Sequence, residues 1–230
     1  MKKETKQSGL VSEIISWIGV IVVAVALAWF LTSFIIINAT VPSGSMENTI
    51  QKGDRLFGSR LNYLFSDPKR GDIVVFRYPV NKAVRAAAKE AGVKVSKSES
   101  AKTNYIKRII GLPGETVEIS KATVTITQAD GTSFVLEEPY LKEEWIVAND
   151  GITFEVPEDC YLMMGDNRNN SSDSRYWAQR AWDVFSEYDL PITVEEALAL
   201  SFVKRSQILG KAYVRYWPIT TISSLYRNAS

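Results

Sequence analysis

Residues 14–37 carry no charge: 24 positions, mostly Ile, Val, Ala, Leu, Phe and Trp. That run constrains the chain more than any other feature. At 1.5 Å rise per residue, a helix over it crosses the roughly 30 Å hydrocarbon core of a bilayer with some tilt. A cleaved leader has an apolar core of only about 7–15 residues, so the run reads as an uncleaved signal anchor. Residues 1–13 are a short polar tail with Lys2, Lys3 and Lys6, which favours a cytoplasmic N-terminus. Residues 38–230 are then expected on the outer face.

Composition removes several function classes. With 230 residues, 46% hydrophobic and 23% charged, the chain can bury one sizeable core. A net charge of +1 gives no broad field for nucleic acid. Cys160 is the single cysteine, which excludes an internal disulfide. There is no histidine. Ser-His-Asp and Cys-His catalysis and every His-based metal site are therefore ruled out. A hydrolase built on this chain needs another base, and no metal or other cofactor is implied.

After the span the chain reads as mainly β. Residues 72–78 form a β-branched run stopped by Pro79. Residues 81–104 are Lys- and Ala-rich, predicting a short exposed helix near 82–91 and then a flexible loop. Strand character returns at 104–110 and ends in the turn Gly111-Leu-Pro-Gly114. Short strands follow at 116–120, 123–127, 134–136, 152–156 and 161–164. Residues 178–200 look like an insertion with helical parts, where Thr193 and Glu196 fit a capping box. A strand at 208–217, stopped by Pro218, closes the domain.

Three stretches could carry chemistry. Residues 41–50, Val-Pro-Ser-Gly-Ser-Met-Glu-Asn-Thr-Ile, start just past the apolar run and set Ser43 and Ser45 on either side of Gly44. Gly44 would let the backbone turn sharply and approach a substrate. Without histidine, a serine can be activated by a neutral lysine amine. In a strand at 104–110, Tyr105, Lys107 and Ile109 share one face, so Lys107 sits between apolar neighbours. Burial there lowers a lysine's pKa by disfavouring the ammonium. The bland alternative is a lysine snorkelling from a strand edge. Arg108 cannot act as a base, because its guanidinium stays protonated. Residues 165–175, Gly-Asp-Asn-Arg-Asn-Asn-Ser-Ser-Asp-Ser-Arg, are either a solvated loop or a hydrogen-bonded wall that fixes other groups.

Four blocks, in order behind the span, carry a family resemblance. They are Pro42-Ser-Gly-Ser-Met46, Gly71-Asp-Ile-Val-Val-Phe76 with Pro79, Tyr105-Ile-Lys-Arg-Ile-Ile-Gly-Leu-Pro-Gly114, and Gly165 to Arg175. Gly210-Lys-Ala212 and Arg215-Tyr-Trp-Pro218 extend it. The chain resembles the bacterial type I signal peptidases, the Ser-Lys dyad leader peptidases that remove signal peptides. The resemblance implies a β-rich signal-peptidase-type catalytic domain with short helical insertions at 81–104 and 178–200. It implies Ser45 as nucleophile and Lys107 as general base. The Ser43 hydroxyl would join the Ser45 backbone N–H in an oxyanion hole. Ser171 would hydrogen-bond and orient the lysine. Asp173, with Arg175 and Arg108, would form a supporting ion-pair cluster, and Met46 would face the substrate. Asn48 departs from the family, which usually has proline there.

Implied partners are the signal peptides of exported preproteins, cut after small residues, together with the lipid bilayer and proximity to the secretion translocon. Nucleic acid is not expected. Two other readings stand beside this one. A soluble self-cleaving repressor-type Ser-Lys protease is disfavoured by the span. A non-enzymatic single-span β scaffold derived from a peptidase is disfavoured by the joint presence of Ser45 and Lys107.

Overall fold

The computed structural model describes residues 4–146 and 151–226. Lys2 and Lys3 of the tail, and the last four residues of the chain, lie outside them. Helix α1 spans Glu4–Phe30. None of its stretch Ser12–Phe30 is buried by the described residues, and Trp17, Val23 and Trp29 are about two-thirds exposed. A helix that is apolar all round over this stretch and left exposed by the described residues fits a membrane anchor.

The helix ends before the apolar run does. Leu31–Ile35 is a π-helical turn, and Ile36–Thr40 is strand β1. The Thr32 hydroxyl donates back to Ala28 O at 2.8 Å, a bond that bends helices. The β-branched sequence Ile35-Ile36-Ile37 then favours extended backbone. The last two residues of the run, Ile36 and Ile37, therefore belong to the sheet rather than to the helix.

The remaining elements are β2 (Arg55–Ser59), α2 (Asn62–Phe65), β3 (Ile73–Arg77), α3 (Pro79–Ala91), β4 (Asn104–Gly111), β5 (Thr116–Ser120), β6 (Thr123–Thr127), β7 (Ser133–Val135), β8 (Ile152–Glu155), β9 (Cys160–Met164), α4 (Ser174–Glu187), α5 (Val194–Ala199), β10 (Phe202–Lys204), β11 (Ile208–Trp217) and β12 (Ser223–Ser224). The main sheet runs β1-β2-β11-β3-β4-β9-β10, with β12 on β11; a second sheet runs β7-β6-β5-β8. The fold is mainly β, as the sequence predicts.

Two open edges matter for function. Among the described residues β1 pairs only with β2, from Ile36↔Ser59 to Thr40↔Arg55. Strand β4 pairs with β3 along Asn104–Arg108, but β9 joins it only from Arg108 onward. Among the described residues the outer side of β4 at 104–107 is left unpaired.

The insertions are better packed than the sequence suggests. Pro79 ends β3 and is also the first residue of α3, where its missing N–H costs nothing. One face of α3 is buried: Val80, Val84 and Ala88 join Trp177, Ala181, Val184 and Phe185 of α4 in the main core. The expected exposed helix is thus half core, because its alanines and valines recur at helical spacing. The loop after α3 is tied down as well: Asn81 Nδ2 donates to Ser98 O at 2.8 Å, and Glu99 pairs with Arg180. Thr193 and Glu196 form the predicted capping box on α5.

Candidate active site

The loop joining β1 to β2 carries Ser45. Val41 N donates to Asp54 O at 2.9 Å and Gly53 N to Val41 O at 2.8 Å, which closes the hairpin around residues 42–52. Inside it, Ile50 N reaches Met46 O at 2.8 Å. That helical turn points Met46 and Ile50 inward, where they are fully buried with Val41, Leu56, Ile73 and Ala212. Met46 is therefore a peg that holds the loop down, and the expectation that it faces substrate is corrected. Gly44 lies outside the left-handed region; Asn48 holds that conformation instead, at φ 86°. Proline could not adopt it. The Asn48 amide donates to Tyr140 O at 3.0 Å and Leu141 O at 3.2 Å.

Strand β4 brings Lys107 to this loop. Lys107 Nζ lies 2.5 Å from Ser45 Oγ, and both residues are buried, at 4% and 7% exposure. The Tyr105 ring sits 5.8 Å from Nζ. Tyr105 in turn stacks on Tyr78 and meets the edge of Trp177. Burial pushes the Lys107 pKa down to about 8, against the opposing pull of Asp173 and Asp166. A lysine held this way is no snorkelling surface residue. Ser43 Oγ is 3.4 Å from Ser45 Oγ. The Ser45 backbone N–H has no hydrogen-bond partner among the described residues.

The polar run after β9 is a wall rather than a solvated loop. Asp173 accepts Arg175 Nε and Nη2, each at 2.8 Å, and Gly165 N at 3.0 Å. Burial alone would raise the Asp173 pKa, but Arg175 and the Gly165 N–H hold it below the usual carboxylate range. Asp173 also caps α4, whose first residue is Ser174, so the run doubles as a helix start.

Arg108 does not join this pair. Its guanidinium binds Asp166 at 2.8 and 2.6 Å and lies 3.8 Å from the Tyr140 ring centroid. Alternation explains the split: Lys107 and Arg108 leave β4 on opposite faces. Asp166 also accepts the Thr49 hydroxyl, tying the second pair to the serine loop. Arg168 pairs with Glu138. Buried pairs like these add little net stability but fix geometry.

Ser171 also departs from expectation. Its Oγ is buried without a well-aligned hydrogen-bond partner among the described residues, so the expected bond to Lys107 is not formed. It turns instead toward the Asp173 carboxylate, which it helps to hold low, and packs against Gly165, where a Cβ would meet Ser171 Oγ at 2.2 Å and Ser45 O at 2.4 Å. Sequence reasoning also passed over Asn167. Its backbone N donates to Ser45 O at 3.1 Å and its Nδ2 to Gly44 O at 3.0 Å. Only its place in the polar run hinted at such a role.

Ser45 and Lys107 lie in a cleft of about 780 Å³, bordered by Ile36–Thr40 on one side and residues 103–107 on the other. A neutral amine at this distance can take a proton from a hydroxyl, which equips the pair to attack a carbonyl.

The profile of the family described as signal peptidase, peptidase S26, matches residues 14–217. A probable signal peptidase I-2 of Synechocystis sp. is 34% identical over 90% of this chain and 75% of its own. Signal peptidase I of Leptolyngbya laminosa is 32% identical over 93% of this chain and 85% of its own. Signal peptidase I P of Bacillus subtilis subsp. natto is 36% identical over 71% of this chain and 80% of its own. A solved signal peptidase I from Enterococcus faecalis covers 64% of this chain and 97% of its own, at 26% identity and a TM-score of 0.38; that overlap is too loose to fix any residue's position.

The chain is a serine endopeptidase. It belongs to the signal peptidase family, peptidase S26, and it removes signal peptides.

Proposed function

We propose that Ser45 and Lys107 form the catalytic dyad of this peptidase. The observation that carries the reading is the 2.5 Å contact between the buried amine and the serine hydroxyl on the cleft floor. Neutral Lys107 takes the Ser45 proton as Oγ attacks the scissile carbonyl carbon. The oxyanion forms opposite the Ser45 N–H and the Ser43 hydroxyl. Collapse breaks the C–N bond, and the Lys107 ammonium gives its proton to the leaving amine. Lys107 then takes a proton from water, the hydroxide attacks the acyl ester, and Ser45 recovers its hydrogen. Asp173, held by Arg175, stabilises the ammonium form between these steps, and the Arg108–Asp166 pair holds the wall in place.

The substrate enters as an extended strand. The open edges of β1 and of β4 at 104–107 both face the cleft and offer unpaired backbone groups. Membership of the signal peptidase family supports small residues at the first and third positions before the cut. A precursor peptide with Ala-X-Ala just before the cut and several residues after it tests this together with the nucleophile. After acid quench in the first turnover, the acyl group is expected on Ser45. Phe at the position before the cut should lower kcat/KM by about 10²-fold. An acyl group on another serine, or equal cleavage after Phe, would overturn the reading.

The same reading gives the topology: residues 1–13 cytoplasmic, 14–37 in the bilayer and at its outer border, 38–230 outside, close to the secretion translocon. Exposed apolar side chains along Ser12–Phe30 support the lipid contact. Anchoring confines the cleft to the depth where membrane-held precursors emerge, which supplies proximity. Protease added to intact protoplasts is expected to digest the large domain; its protection would reverse the orientation.

A further inference from the structure

We propose that Asn167 is the positioning residue that aims the Ser45 backbone N–H into the cleft. This rests on the reading of Ser45 as the nucleophile. A trans peptide is planar, so its C=O and N–H point in opposite directions. Whatever grips Gly44 O therefore sets the direction of the Ser45 N–H. Asn167 grips it at 3.0 Å through Nδ2, and Glu47 N adds a second donor at 3.1 Å. The backbone N–H of Asn167 holds Ser45 O at 3.1 Å. One residue thus holds both carbonyls that flank the Ser45 Cα. With both peptide planes fixed, the Ser45 N–H has no protein partner among the described residues, while Ser43, Gly44 and Ser45 line the cleft.

Two further observations favour positioning over mere filling. Asn167 is 2% exposed, yet its Oδ1 has no hydrogen-bond partner among the described residues. A buried carbonyl left unpaired is a cost that a packing role would not keep. The carboxamide cannot be turned over to relieve it. Its Nδ2 also faces Glu47 Oε2 at 3.3 Å, and exchanging N for O would set an oxygen against both Gly44 O and that carboxylate.

The test uses the full chain in detergent micelles, with wild type, Asn167→Ala, the near-isosteric Asn167→Asp and Ser45→Ala on one precursor peptide. Both Asn167 variants lose the donor to Gly44 O. Each is expected to lose about 10²-fold in kcat, as for an oxyanion donor, with KM within about threefold of wild type. A peptide aldehyde, which forms an oxyanion on Ser45, should bind more weakly by the same factor as kcat falls. The pH at which the activity limb breaks should stay put, because Lys107 is untouched. Full kcat in either folded variant would overturn the proposal. So would a shifted limb with a raised KM, which marks a turn that has lost its shape. If the Asn167→Ala chain fails to fold, Asn167→Asp decides alone. Turnover by Ser45→Ala would instead bring down the nucleophile assignment, so the two failures are distinguishable.

Discussion

Ser45→Ala and Lys107→Arg should each lose at least about 10⁴-fold in kcat/KM on a precursor peptide, the scale on which paired catalytic groups fail together. The serine change removes the attacking oxygen. The arginine change is the more telling one, because it keeps the positive charge and removes only the ability to lose a proton. Neighbouring Arg108 cannot take over; it cannot deprotonate either, and Asp166 holds it at 2.8 and 2.6 Å on the other face of β4. Lys107→Ala should be as inactive as Lys107→Arg. Melting curves recorded beside the rates separate lost chemistry from lost fold. Substantial activity in folded Lys107→Arg would show that another group takes the Ser45 proton.

Gly165→Ala is expected to cost about 10²–10³-fold in kcat/KM through geometry alone. The new Cβ would stand 2.4 Å from Ser45 O, a backbone atom, and 2.2 Å from Ser171 Oγ. Rotating the Ser171 hydroxyl leaves its Cβ at 2.7 Å, and Ser45 O can move only if the nucleophile's backbone moves. A displacement of about 1 Å at a reacting group costs on the order of 10²-fold, and here it would also open the 2.5 Å contact with Lys107. Gly44→Ala is the matched control. The three nearest atoms to its Cβ all belong to the Glu47 side chain, the first at 2.3 Å, and that flexible chain can swing aside. Its loss should stay within about tenfold. Equal losses in the two variants would contradict this account of the wall.

Much of this was legible in the residues. The uncharged run, the alternation around Lys107 and the capping box at Thr193 each have a local cause, and local causes survive into the fold. What escaped the sequence was set by distant partners. Ile36 and Ile37 look like membrane residues until the hairpin with β2 claims them. Met46 looks like a cleft residue until the turn at 44–50 points it into the core. Arg108 and Asp173 read as one charge cluster, but β4 sends Arg108 to Asp166 instead. The left-handed residue of the serine loop is Asn48 rather than Gly44, and its side chain is secured by the 140–141 carbonyls, 92 and 93 residues away. Ser171 was assigned to the lysine and packs on Gly165. No pattern within the run 165–175 says which of its amides and hydroxyls will touch the serine loop.

The most direct test of the dyad is the pH dependence of kcat/KM for the wild-type chain on one neutral precursor peptide, followed from mildly acidic to strongly alkaline buffer. Lys107 must be neutral to accept a proton, and burial brings its pKa down to about 8. Activity should therefore rise with pH, about tenfold per unit on the acid side, and level off above a break near that value. A flat profile, or a limb that breaks only near the ordinary lysine value of about 10.4, would contradict the assignment of Lys107 as the base.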